Sequence, residues 1–164
     1  MRHALKDPDT HISSIPTASS GKQRILNALY FLGIAVYLVL VSFQGFDLLD
    51  EGFHVTFYQQ FFRDPESVQY SFFYWFSGLV GGLIVNWFPQ YGLIGLRIAG
   101  AACIFLTILV ANRMLKPYVN GAVLKIAFLL LALLINTEPK DIYYNIVSAL
   151  IFFTAAWAMF SGLN

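Results

Sequence analysis

The sequence predicts an all-α protein, a polytopic bundle of transmembrane helices. Three observations carry that expectation. Apolar residues make up 58% of the chain and charged residues 12%, half the usual quarter, so a soluble domain of this size has nowhere to hide the excess. The apolar residues gather into charge-free runs long enough to cross a bilayer. Lys and Arg then cluster beside particular runs, at Lys22 and Arg24 and again at Arg113, Lys116 and Lys125, which is how membrane helices are oriented.

Residues 1–24 are polar and rich in Ser, Thr and Pro, and read as a flexible cytoplasmic tail with no apolar face to pack. His3 and His11 lie in it without obvious partners. Residues 25–46 are uncharged for 22 positions, about 33 Å of helix, enough to span the hydrocarbon core. No small-residue cleavage site follows, so the segment is predicted to be a retained signal anchor. The transmembrane domain is assigned to residues 25–164, with spans over 25–46, 93–115, 117–137 and 142–164.

Between the first two spans lies "FDLLDEGFHVTFYQQFF", residues 46–62. Phe53, Phe57 and Phe61 recur every fourth position, a helical stripe. The stretch is too short and polar to span, so a helix over 51–62 is predicted to lie on the outer surface with its phenylalanines in the lipid boundary. Asp50 suits its N-cap, and Pro65 disfavours its continuation. Residues 67–96 carry no charge and are long enough for another span. Charge placement argues otherwise: the tail and the Arg113–Lys125 stretch both belong in the cytoplasm, so an even number of crossings separates them. Trp75 and Trp87 are about 18 Å apart on a helix, too close to mark both faces of a bilayer. Residues 71–88 are therefore predicted to form a re-entrant or in-plane helix, with Gly78, Gly81 and Gly82 packing it on protein. Cys103, the single cysteine, reads as a buried inert thiol.

Nucleic acid is excluded as a partner, since no basic cluster exceeds two or three residues. There is no phosphate-binding glycine loop, Cys-x-x-Cys pair or Ser/His/Asp arrangement. The strongest chemical candidate is the acid pair Asp50–Glu51. A carboxylate at a helix N-terminus stays ionised and can take a proton from an attacking hydroxyl. Taken alone, an acidic pair in an outer loop is more often a cap and a solvated neighbour. Arg97 lies at the start of the second span, where an unpaired charge is costly. It is suited to gripping a phosphate in a forked contact, or equally to snorkelling or a structural pairing. Asp141 and Asn145, in and after the second outer loop, are possible further contributors, and Tyr143 and Tyr144 read as an aromatic belt. His54, one turn after the acid pair, could join a metal cluster, although a lone histidine there is more commonly a polar surface residue.

Three stretches together, "DEGFHVTFYQQFF", "FFYWFSGLVGGLI" and "GLRIAGAACIFLTILVANRML", resemble the beginning of membrane glycosyltransferases of the GT-C fold. The nearest in pattern are aminoarabinose transferases and protein O-mannosyltransferases. In those enzymes an Asp-Glu opens the first outer loop, an amphipathic helix follows, then an aromatic interfacial helix, then a span opening with Arg. Asp50–Glu51, Tyr74–Trp75 and Arg97–Ile98–Ala99 occupy those places in order. The resemblance implies sugar transfer from a polyprenyl-phosphate donor at the outer face of a membrane, a bacterial inner membrane being typical. Asp50 would be the base, Glu51 its partner and Arg97 the donor-phosphate contact. Some relatives hold a divalent metal through a Glu before the aromatic helix; here Gln69 or Tyr70 stands there, with Glu66 slightly earlier, so the metal stays unknown. Relatives have many more spans, so the resemblance implies that these residues are the amino-terminal portion of an enzyme, inactive in isolation. The alternative reading is a non-enzymatic multi-span accessory or assembly protein, held to partners by its small residues. Oligomeric state is not legible.

Overall fold

The computed structural model describes residues 19–44, 50–134 and 144–162. Among them there is no strand, and six α-helices follow one another: α1 (Ser19–Val41), α2 (Asp50–Gln60), α3 (Trp75–Trp87), α4 (Gly92–Leu115), α5 (Gly121–Leu134) and α6 (Tyr144–Gly162). A 3₁₀ helix, Pro65–Tyr74, leads into α3, and a shorter one, Pro89–Tyr91, leads into α4. The protein is all-helical, as its composition predicts. α1, α4 and α6 are long and apolar enough to cross a membrane.

α1 departs from expectation at both ends. Its helix already includes residues 19–24, assigned above to the tail, while 1–18 lie outside the described residues. It stops at Val41, five positions before the charge-free run ends. The cause is local. The Ser42 hydroxyl donates to the Leu38 carbonyl at 2.9 Å, and Phe43 and Gln44 take tight turns onto Leu40 and Val41. Hydropathy marks where lipid can lie; it does not mark where the backbone leaves the helix.

α4 is 24 residues long, about 36 Å. Gly92 before its first full turn has φ +47°, a left-handed conformation that glycine adopts at no steric cost. Leu96, Arg97, Gly100, Ala101, Ile104, Ile108 and Ala111 form its buried stripe, following the helical period. After Leu115 a tight turn, with Lys116, Tyr118 and Val119 bonded back to Asn112 and Leu115, delivers the chain to α5. The side chain of Asn120 caps that helix by accepting from Ala122 N–H at 2.9 Å. The described part of α5 is 14 residues, about 21 Å.

The long helices alternate in direction. Arg97 near the start of α4 bonds the residues just past the end of α1, so α4 runs back along α1. Tyr30 and Asn27 in the first half of α1 bond Lys125 near the start of α5. The Arg113 guanidinium at the end of α4 stands over Trp157 near the end of α6. The main core fills the seam of α1, α4 and α5 with Ile34, Leu38, Ile104, Ile108, Leu124 and Phe128. Outward, Ile25, Leu29, Leu32, Val36 and Leu40 lie exposed along α1 at helical spacing, an apolar stripe far larger than a soluble monomer leaves bare. Lipid is the solvent that suits it.

α2 and α3 pack on each other against the first turns of α4, around a second core of Phe57, Tyr58, Val68 and Leu96. The phenylalanine stripe of α2 divides: Phe57 is buried on protein and Phe61 half-buried, while Phe53 and the neighbouring Phe62 stay exposed. Phe57 is 3% exposed, and Phe57 and Phe61 cover Gly78 so closely that a Cβ there would stand 2.6–2.7 Å from their rings. The glycines of α3 supply the reason: with no side chains in the way, the helix backbone takes the rings directly, and burying aromatic area on protein replaces burying it in lipid. α3 itself is 13 residues, about 20 Å and short of the roughly 30 Å hydrocarbon core.

Candidate functional site

The site is built where the first and second long helices meet. Arg97 is 4% exposed, a charge taken out of solvent at considerable cost unless it is well bonded. Its Nη1 donates to the Ser42 carbonyl at 3.1 Å and to the Gln44 carbonyl at 2.5 Å. Those carbonyls lie beyond the end of α1, where helical partners have run out, and the cation also complements the negative end of the helix dipole. The arginine is thus a clasp across 55 and 53 residues of sequence, and it fixes the point at which the chain leaves α1.

The acid pair follows shortly. α2 begins at Asp50, with Glu51 second. Asp50 lies six positions beyond Gln44, so its Cα is within about 21 Å of the Gln44 Cα even with the chain fully extended. Asp50, Glu51 and Arg97 therefore belong to one end of the bundle. Asn145, in the first turn of α6, is exposed and belongs to the same end, because the last turns of α6 lie against the last turns of α4. Asp47 and Asp141 lie outside the described residues.

His54 is not the polar surface residue expected. It is 3% exposed and boxed by rings, with Phe53 at 5.7 Å, Tyr58 at 6.0 Å and Tyr74 at 5.8 Å between centroids. Helical spacing explains it. His54 and Tyr58 are one turn apart on α2 and stack, interplanar angle 19°, on the face that meets α3 and Leu96. Among the described residues no three His, Cys, Asp or Glu side chains gather as metal ligands. Glu66 and Gln69 are exposed on the first 3₁₀ helix.

Tyr74 is the residue that sequence reasoning undervalued. It touches Phe53, His54 and Phe57 and joins the 3₁₀ helix to α2. Its sequence signals are its place in the aromatic run "FFYWF" and the Tyr74–Trp75 step of the resemblance, neither of which points to α2. Ser42 and Gln44 carry no such signal, since their contribution is backbone carbonyls. A narrow cleft between α2 and α3, lined by Tyr58, Phe62, Arg63 and Asn86, holds about 10 Å³, at most one water.

The chain matches no family model, no curated protein and no solved structure. What the site can do is therefore argued from its chemistry. Charge is sharply sorted between the two ends. All four described carboxylate residues, Asp50, Glu51, Asp64 and Glu66, fall between α1 and α3. Five of the seven described cationic residues, Lys22, Arg24, Arg113, Lys116 and Lys125, belong to the opposite end.

Proposed function

We propose that this chain is the catalytic-loop portion of an integral membrane glycosyltransferase of the GT-C type, which moves a sugar from a polyprenyl-phosphate donor to a hydroxyl. The observation that carries the reading is the Arg97 clasp, which ties the start of the acid-bearing loop to the start of α4. Asp50 then acts as the base and Glu51 as its partner. Arg97 serves first as the residue that positions the loop. A direct grip on the donor phosphate, at 4% exposure, would require the phosphate to replace a backbone carbonyl. Asp141 and Asn145 would approach from the second outer loop. In this reading the strongly basic end faces the cytoplasm, the acid-bearing end faces outward, α5 completes a fourth span, and α2 and α3 lie at the outer interface of a bacterial inner membrane.

The test is transfer of radiolabelled sugar from a polyprenyl-phosphate donor by membranes carrying the protein. Asp50→Asn is expected to lower transfer by about 10²–10⁴-fold, the usual contribution of a general base, with membrane expression unchanged. Undiminished transfer would reject the assignment. The tight packing around Arg97 and the small cleft beside α2 favour a second reading, a non-enzymatic membrane scaffold. Membranes with no transfer above background, together with full tolerance of Asp50→Asn, would decide for it.

A further inference from the structure

The opposite end of the bundle holds a second feature that the acid-bearing loop does not use. The last turns of α4 and α6 flank an open cleft of about 190 Å³, lined by Arg113, Met114, Tyr118, Trp157 and Phe160 among others. The Arg113 guanidinium stands 5.6 Å from the Trp157 ring centroid, within cation–π range. That contact orients the charge and still leaves the in-plane N–H donors for a ligand. Lys116, exposed, stands three residues on, the spacing of neighbours on one helical face.

We infer that this cleft binds the phosphate headgroup of an anionic membrane lipid. Four observations converge. The cleft lies at the end of a helix about 36 Å long, which puts it at headgroup depth. Its volume is below the roughly 300–1,000 Å³ of sites that enclose a whole small molecule, but it suits a headgroup whose chains stay outside. Its rim includes Phe160, a large apolar side chain left exposed near the end of α6, beside which acyl chains would lie. Finally, Arg113 and Lys116 are both exposed at this end, and no carboxylate among the described residues belongs to it. Tyr118 and Trp157 are the residue types that sit at the level of headgroups.

The test uses the protein in phosphatidylcholine vesicles, with and without phosphatidylglycerol, and native mass spectrometry to read the retained lipid. Phosphatidylglycerol should be retained in preference to phosphatidylcholine. Arg113→Gln should lower that preference about fivefold, the effect of one basic residue at an anionic surface, while Arg113→Lys keeps most of it. Arg63→Gln, at the other end of the bundle, should leave it unchanged and controls for general loss of charge. An equal preference in Arg113→Gln and the unmodified protein would overturn the inference. So would displacement of the lipid by inorganic phosphate at matched concentration, which would make the ligand a free anion.

Discussion

At the scale of single residues, the clearest contrast lies between two glycines. A Cβ on Gly81 would stand 2.7 Å from the ring of Tyr58, which is itself 1% exposed and has nowhere to go. A Cβ on Gly33 would meet nothing within 4 Å. Gly81→Ala is therefore expected to destabilise the fold by about 1–3 kcal/mol through overpacking. Gly33→Ala should be neutral or stabilising by up to about 1 kcal/mol through helix propensity. Thermal unfolding of both variants in the same detergent micelle measures the difference, and equal midpoints would contradict the packing described for α2 and α3. The sequence marks all three α3 glycines as a packing element, but it gives no sign of which helix they pack on. For Arg97 the position was legible, because a charge so early in an apolar run has to be satisfied. Its partners were not, because any residue supplies a carbonyl.

At the scale of elements, α1 and α5 are joined by a small polar lock. Lys125 Nζ donates to Asn27 Oδ1 at 2.6 Å, Tyr30 Oη donates to the Lys125 carbonyl at 2.6 Å, and the ammonium lies 5.7 Å from the Tyr30 ring centroid. On sequence Lys125 marks only the basic side of the bundle. The structure gives it a partner because Asn27, two turns into α1, reaches the first turns of α5. A double-mutant cycle on Asn27→Ala and Lys125→Met is expected to return a coupling of about 0.5–1.5 kcal/mol, the range for interhelical hydrogen bonds in membranes. Unfolding in mild detergent gives the four free energies, and a coupling of zero would mean that the lock does no more than accompany the packing. Helix boundaries were legible where proline, glycine and charge coincide, as at α4. At α1 the helix ends at Val41, inside the charge-free run, where Arg97 of α4 takes the carbonyls of Ser42 and Gln44.

At the scale of the whole molecule, the alternating helices and the sorting of charge make one topological statement. Residues at the start of α4 and residues in the turn before α5 should lie on opposite faces of the membrane. In a Cys103→Ala background, a cysteine at Gly92 is expected to react with an impermeant maleimide from the outer side, and one at Val119 only after the inner side is opened. Labelling of both from one side would dismantle the two-ended description. The membrane character of the protein was legible from composition alone, because no soluble fold hides so much apolar area. The layer of α2 and α3 was only half legible: its helices were expected near 51–62 and 71–88, but that Phe57 and Phe61 would close over Gly78 was not, because periodicity does not name the packing partner.

The long reach of the Arg97 clasp also bears on biogenesis. The guanidinium that closes the end of α1 is 55 residues downstream of its first acceptor, and at about 5–20 residues per second of synthesis it emerges roughly 3–11 s later. Through that interval the Ser42 and Gln44 carbonyls lack this donor. α1 is thus synthesised well before the residue that closes its end, and the bonding at Ser42 and Gln44 is completed only once α4 has been made.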